Sequence, residues 1–379
     1  MRTFLQQARE VVRRCRRLAA CTEKPGEITR TFLSAPMHEV HRLVRAWMED
    51  AGMTVRVDGA GNIRGTYGAG PRLMIGSHLD TVPNAGAFDG ILGVMIGIAL
   101  VERHPPCALE VAGFSEEEGV RFGVPFIGSR AVVGAPVRTP AVAAAIRDFG
   151  IDPKSEAKIG RDVRAYLEFH IEQGPVLDRK NLPLGVVDAI AGQSRYEVRF
   201  AGEANHAGTT PMKMRNDALV AAAGWIGLVR STALAEPGLV ATVGQLRVYP
   251  GAVNVIPGAV VASLDIRHAD DRVGARAARR MLKGVECEER SNQPATPMDP
   301  AMVQALCTAV RATGNRVHRM VSGAGHDAMI LAAKVPAAML FLRSPGGVSH
   351  HPDETVRVED VAAALAVGAE VLDDWRPSW

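Results

Sequence analysis

"RLMIGSHLDTVPNAGAFDGILGVMIGIAL", residues 72–100, decides the fold. The opening "RLMIG" is an apolar run of strand length. "ILGVMIGIAL" is apolar all round and is roughly half as long as a membrane span, so it reads as a buried helix. Between them lie small and turn-forming residues together with His78, Asp80 and Asp89. Strand, polar loop and buried helix in that order predict an α/β unit with its chemistry at the carboxyl end of the strand. Alone, the loop has an ordinary structural reading: His78 as a hydrogen-bonded strand-end residue and Asp89 as a cap on the helix that follows.

Upstream, "PMHEVHRLVRAWMEDAG" has helical spacing, and "MTVRVD" and "NIRGTY" read as short strands joined by the turn residues "DGAGN". Downstream comes another apolar strand, "ALEVAGFS", which ends in the acidic cluster "EEEGVRFG". The texture changes near residue 194. "SRYEVRFAGE" alternates, "RNDALVAAAGWIGLVRSTAL" is helical, "GLVATVGQLRVY" and "AVVASLDIRH" are strands, "RVGARAARRMLKGV" is a helix and "ECEER" a short strand. This βαββαβ order predicts a four-stranded sheet covered by two helices, inserted into the first domain. "RSNQPATPMDP" reads as the loop back, and "VEDVAAALAVGAEVLDDW" as a terminal helix. The expected domains are 1–192 and 300–379, which together form the catalytic domain, and 193–299, the insertion.

At 379 residues the chain is too long for one comfortable core. Its 47% hydrophobic and 22% charged residues are those of a packed protein. A net charge of +3 argues against nucleic acid as a partner. "VVRRCRRLAA" near the start is read as a helix with one solvated basic face, and no membrane partner is expected. The five cysteines include no CxxC pair, which suggests neither a disulfide framework nor a zinc knuckle and points to a cytoplasmic location.

Three further stretches add metal-type side chains. Glu116, Glu117 and Glu118 end an apolar strand, where adjacent carboxylates repel one another unless a cation or proton intervenes. "YLEFHIEQGP" is an alternating strand that carries His170, and "GGVSHHPDE" presents His350 and His351 in a glycine-rich loop. Histidines with an aspartate and a glutamate form a borderline ligand set, suited to two zinc or manganese ions rather than magnesium.

The ordered motifs "GSHLDTVPNAGAFDG", "SEEEGVRF", "EFHIEQGP", "HAGTTPM", "NVIPG", "LDIRH", "SGAGHDA" and "SHHPDE" resemble the amidase branch of the aminoacylase and carboxypeptidase-G group of two-metal hydrolases. That branch includes allantoate amidohydrolase, N-carbamoyl-L-amino-acid hydrolase and β-ureidopropionase. The resemblance implies an α/β fold: a mixed-sheet di-metal domain with helices on both faces, and an inserted α+β domain that serves as lid and dimerisation surface. It implies two divalent ions per subunit, with His78 and His170 on one, Glu118 and His350 on the other, and Asp89 bridging. Asp80 would accept from the free ring nitrogen of His78. This chain has His351 where the family has asparagine; the register favours His350, with His351 the alternative.

By the same resemblance Glu117 is the general base, Glu116 a neighbour without direct chemistry, and His206 an oxyanion donor acting across a homodimer. Gln173, Asn254, Arg267 and His326 would bind a small ureido or amide carboxylate. "HAGTTPM", "IAGQSRY" and "DTVPNAGAFDG" are closer to the allantoate pattern, so the expected reaction takes allantoate to ureidoglycine, carbon dioxide and ammonia. N-carbamoyl-L-amino-acid hydrolase or β-ureidopropionase activity is the alternative, and dipeptidase or aminoacylase activity a more distant one.

Overall fold

The computed structural model describes residues 3–375. The chain divides into two compact units, one running up to Asp188 and resuming at Met298, the other Ala189–Pro297.

In the larger unit, helices α1 (Phe4–Ala19) and α2 (Met37–Asp50) precede strands β1 (Thr54–Val57), β2 (Ile63–Tyr67) and β3 (Arg72–His78). Helix α3 (Ile91–Val101) leads into β4 (Ala108–Phe114), α4 (Ile127–Val132), α5 (Pro140–Asp148), β5 (Val163–Ile171), the short α6 (Val176–Arg179) and β6 (Leu184–Ile190). The smaller unit holds β7 (Gly192–Ala201), α7 (Ala218–Ala235), β8 (Val240–Thr242), β9 (Leu246–Tyr249), β10 (Ala259–His268), α8 (Asp271–Met281) and β11 (Glu286–Gln293). After β12 (Thr296–Pro297) come α9 (Pro300–Ala312), β13 (Arg319–Ser322), α10 (Asp327–Leu331), β14 (Ala337–Leu342) and α11 (Val358–Asp373).

The first sheet has the order β1-β2-β4-β3-β5-β14-β6-β12, with β13 also on β6. It is mixed. β4, β3, β5 and β14 run parallel, whereas β1, β2 and β6 join antiparallel. The parallel strands are buried on both faces, which is why they read as continuous apolar runs rather than alternating ones. Successive side chains of β5 point to opposite faces. The Phe169 ring lies against Gly368 of α11, while the Glu168 carboxylate accepts the Ala328 amide of α10 at 2.8 Å. Helices therefore cover both faces of the sheet.

Helix α3 is buried at every residue, packed on β3, β4 and β5 and covered by α1 and α11. Its apolar composition on all sides follows from that position. A Cβ on Gly93 would stand 2.2 Å from the Phe169 carbonyl oxygen, so glycine here lets α3 rest directly on β5. The basic N-terminal segment forms α1, which buries Ala8, Val11, Val12, Cys15 and Leu18 and leaves Arg9, Arg13, Arg16 and Arg17 exposed.

The second sheet is antiparallel, ordered β11-β7-β10-β8, with β9 on the same strand as β8. Sequence reading expects four strands; the structure has five. "GLVATVGQLRVY" is broken into β8 and β9 because three residues, Val243–Gln245, stand opposite two, Ser263 and Leu264. That extra residue is a bulge, tied down by the Gln245 amide on Ser263 Oγ at 3.0 Å. The stretch read as a loop, "RSNQPATPMDP", instead continues β11 as far as Gln293 and supplies β12, since backbone pairing with β7 and β6 outweighs its polar composition.

Alternate residues of β10, from Val260 to Ile266, meet Ala222, Trp225 and Val229 of α7 and Met281 of α8 in one core. Helix α7 is long and apolar enough by composition to cross a membrane, yet it packs along one side on β7, β8 and β10.

The Gly93 contact generates an expected outcome. Gly93→Ala forces a methyl against backbone that cannot rotate away, at a cost of about 1–3 kcal/mol. Gly274→Ala in α8, where nearby atoms leave room, should be neutral or stabilising by up to about 1 kcal/mol. Urea unfolding of both variants checks this, and an unchanged midpoint for Gly93→Ala would show that α3 is free to lift from β5.

Candidate metal centre

Three parallel strands end at the same level. His78 is the last residue of β3 and pairs in register with Phe114, the last of β4, after which the chain runs directly into Ser115–Glu118. His170 sits one residue before the end of β5. Asp89 returns to this edge through the 79–90 loop, and Gly90 follows it with φ +68°. A Cβ at Gly90 would lie 2.5 Å from the His78 ring, so only glycine allows the loop to close over that imidazole.

The rings are oriented by backbone carbonyls. His78 Nδ1 is 3.0 Å from the Asp80 carbonyl oxygen and His170 Nδ1 is 2.9 Å from that of Ile171. A carbonyl only accepts, so each Nδ1 carries a hydrogen, and each Nε2 is the atom turned toward Asp89 that can give a lone pair to a cation. Those two Nε2 atoms are 3.4 Å apart. Asp89 Oδ1 lies 3.2 Å from His170 Nε2 and 3.7 Å from His78 Nε2, while Oδ2 lies 3.3 Å from His350 Nε2. His350 is in turn 3.5 Å from Glu118 Oε1. Four groups of converging donor atoms result, His78/Asp89/His170, Asp89/Glu118/His350, His78/Glu117/Glu118 and Glu168/His170/His326, and Asp89 belongs to the first two.

Electrostatics point the same way. Burial by itself disfavours the imidazolium of His78, yet the carboxylates of Asp89, Glu117 and Asp80 prevail and its pKa lies well above the ordinary value. His170 is also raised against burial, chiefly by Asp89. Burial pushes the Asp89 carboxyl up, but His170, His350 and His78 hold it well below the usual range. Glu118 is pushed up to about 7 by burial and by the Asp89 charge. Positive charge is favoured where lone pairs and carboxylate oxygens converge. Acceptors facing one another with so few donors between them fit a bound divalent cation.

Glu117 is buried, and its carboxyl belongs to a group with His78 and Glu118. Burial raises its pKa well above the carboxylate range, aided by Glu118, Asp327 and Asp80 against the pull of His78. The sequence reading paired the Asp80 carboxylate with His78 Nδ1; the structure differs. That carboxylate is 3.8 Å from the ring nitrogen and instead accepts the amides of Glu117 at 3.0 Å and Glu118 at 3.1 Å. A carboxylate with two amides in reach outcompetes the longer contact, and the Asp80 carbonyl takes the ring N–H. His351 faces away, exposed, with its Nδ1 accepting from the Asp353 amide at 3.2 Å.

Gln173, at φ +58°, points its Nε2 at both Asp89 oxygens (3.3 and 3.1 Å) and at His350 (3.3 Å). His326 is buried with its ring centroid 4.4 Å from that of His170 and its Nε2 3.0 Å from Ser322 Oγ; burial lowers its pKa well below the ordinary value. The other three expected residues lie on the smaller unit. His206 forms an isolated bridge with Val255, and Ala207 donates to the Asn254 carbonyl at 2.9 Å, so His206 and Asn254 share one loop pair. Arg267 is on the open face of β10, its Nε 2.8 Å from Asp265 Oδ1.

Sequence reasoning gave Glu116 no direct chemistry and passed over three further buried acids, Glu168, Asp327 and Glu354. Glu116, at φ +52°, accepts from the Phe32 and Arg121 amides (3.0 and 2.7 Å) and so fixes the turn that aims Glu117 and Glu118. Glu168 and Asp327 lie beneath the histidines, and Glu354 beneath Asp89. Glu168 had a signal: it shares the face of β5 that carries His170, two residues on.

Residues 74–374 match peptidase family M20/M25/M40. The chain is 36% identical to a probable allantoate deiminase of Oryza sativa subsp. japonica, over 94% of this chain and 87% of that protein. It is equally 36% identical to an N-carbamoyl-L-amino-acid amidohydrolase of Pseudomonas sp. (strain NS671), over 93% and 96%. Among solved structures, a hydantoinase/carbamoylase family amidase from Burkholderia multivorans superimposes with a TM-score of 0.91 at 31% identity, covering 97% of both chains. With its strand-end imidazoles and carboxylates, the chain belongs to peptidase family M20/M25/M40, whose members are metal-dependent hydrolases.

Proposed function

We propose that this chain is a metal-dependent amidohydrolase that cleaves the ureido C–N bond of a small carboxylate, allantoate, giving ureidoglycine, carbon dioxide and ammonia. The observation that carries this reading is the Asp89 carboxylate, with one oxygen toward His78 and His170 and the other toward His350. On this reading His78 and His170 hold one divalent ion, Glu118 and His350 another, and Asp89 both; zinc or manganese suits the donors. When bound, such a pair polarises a carbonyl oxygen and lowers the pKa of water.

The protein's own groups do the rest. Glu117 takes the proton of the attacking water on its carboxylate and hands it to the departing nitrogen. A carboxyl whose proton affinity is raised by burial accepts that proton readily and holds it until the C–N bond breaks. Asp80 keeps Glu117 and Glu118 in register through their amides, which lets one act on protons while its neighbour serves as a ligand. Gln173 and His326 flank the reacting carbonyl. Arg267 offers a planar fork for the substrate carboxylate, Asn254 an amide beside it, and His206 a donor to the oxyanion.

N-carbamoyl-L-amino acids are the second reading, favoured by the equal identity to the Pseudomonas relative. They offer the same ureido carbonyl and carboxylate, so a few pocket side chains decide between the two. We further propose a homodimer built on α7. Val220 and Leu234 of that helix are 67% and 72% exposed, and Val240 on the neighbouring edge strand β8 is 56% exposed. A second copy would bury this apolar face, as homodimer interfaces do.

Four outcomes are expected. After chelation and reconstitution with manganese or zinc, ammonia is released from allantoate faster than from N-carbamoyl amino acids, a dipeptide or an N-acyl amino acid. Release from none of them removes the amidohydrolase reading. Glu117→Gln lowers kcat by about 10²–10⁴-fold with metal content unchanged, whereas Arg267→Ala raises KM about ten- to a hundredfold; an active Glu117→Gln or an unaltered KM rejects the corresponding role. Sedimentation should give twice the 40.4 kDa chain mass, and a monomer would exclude the α7 interface.

A further inference from the structure

The loops that carry Asp89 and His350 come from opposite ends of the chain, and a single buried carboxylate joins them. Glu354 is 4% exposed. Its Oε1 accepts from the amides of Phe88 and Asp89, both at 3.0 Å, and its Oε2 from Ser349 Oγ at 3.2 Å. Ser349 Oγ also lies 3.5 Å from Asp89 Oδ2. The Glu354 amide closes its own turn on the His351 carbonyl at 3.0 Å, which fixes the carboxylate relative to His350. Gly86 makes this approach feasible, since a Cβ there would stand 2.3 Å from the Cβ of Glu354.

The ligands differ in how far they depend on such a tie. His78 and His170 are held by strands and by Nδ1 bonds to carbonyls. His350 has neither: it sits in a loop at φ +54°, with its side chain 48% exposed. A ligand on an exposed loop binds well only if something fixes that loop against the other ligands. Glu354 is the group that does so, by accepting the amide of Asp89 itself.

We propose that Glu354 is a positioning residue that sets the register between the Asp89 and His350 loops and thereby controls the cation affinity of the Asp89/Glu118/His350 set, with little effect on the His78/Asp89/His170 set. Its oxygens are taken up by the Phe88 and Asp89 amides and the Ser349 hydroxyl, so it acts through the ligands. This rests on the two-ion reading above. Its hydrogen-bonding role needs an oxygen acceptor for two amides rather than a charge. Glutamine supplies that oxygen and can turn its NH₂ toward the Ser349 hydroxyl; alanine supplies nothing, and aspartate is one methylene too short to span both loops.

Calorimetric titration of the metal-free full-length protein with zinc and with manganese tests this without reference to turnover. The wild type should bind two ions. Glu354→Ala should keep one site near wild-type affinity and weaken the other about 10–100-fold, while Glu354→Gln changes neither by as much as about tenfold. Circular dichroism establishes that each variant is folded; if alanine is not tolerated, Glu354→Asp carries the same expectation as alanine. Two unaffected sites in Glu354→Ala or Glu354→Asp, equal weakening of both sites, or a glutamine variant as impaired as alanine each overturn the proposal. A wild type that binds no divalent cation overturns the two-ion reading itself, a result distinguishable from the others.

Discussion

Everything at the strand ends depends on a buried carboxylate surrounded by acceptors. Asp89 is 1% exposed and faces three imidazoles, two of which turn Nε2 toward it because backbone carbonyls claim their Nδ1–H groups. Such a set is costly to assemble in a protein interior unless positive charge fills its centre. The larger unit is organised to bear that cost. Parallel β3 and β5 deliver the histidines, α3 rests on β5 through Gly93, and Gly90 lets the Asp89 loop close over His78. The affinity of the site for cations and the stability of this edge of the sheet are thus one quantity seen from two sides.

Around Asp89 the acids divide their labour by what donates to them. Asp80, Glu116 and Glu354 accept backbone amides, two each, and act as struts between loops. Glu118 faces His350, and Glu117 lies with His78 and Glu118. The amide-bonded acids hold segments in place, and the remaining two stay available to a cation and a proton. This is why a run of three adjacent glutamates is tolerated: at φ +52°, Glu116 turns the backbone so that its own side chain points back to Phe32 and Arg121.

Much of this was legible in the sequence, and the limits have physical causes. Buried parallel strands and a helix apolar on all sides announce a layered α/β sheet, so the strands bearing His78 and His170 and the buried α3 could be read directly. The break between β8 and β9 could not, because a bulge depends on what stands across the ladder; nor could the β11 extension, whose polar residues are strand only through pairing with β7. Residue types told which groups could bind metal, but hydrogen-bond partners are set by three-dimensional competition. Asp80 therefore goes to two amides rather than to His78, and Glu354, displayed beside the histidines in "SHHPDE", shows its two amide partners only once the chain is folded.

The two units also differ in the kind of ligand chemistry they offer. The larger unit's cluster consists of imidazoles, carboxylates and the Gln173 amide, which repels an anion unless cations are present. The open face of the second sheet carries Arg195 and Arg267, both bonded to Asp265. That carboxylate shares itself between two guanidinium groups and holds Arg267 by its Nε, as a rigid fork requires. A neutral amide could be recognised by the first kind of surface alone. The guanidinium pair, by contrast, favours an anionic group such as a carboxylate.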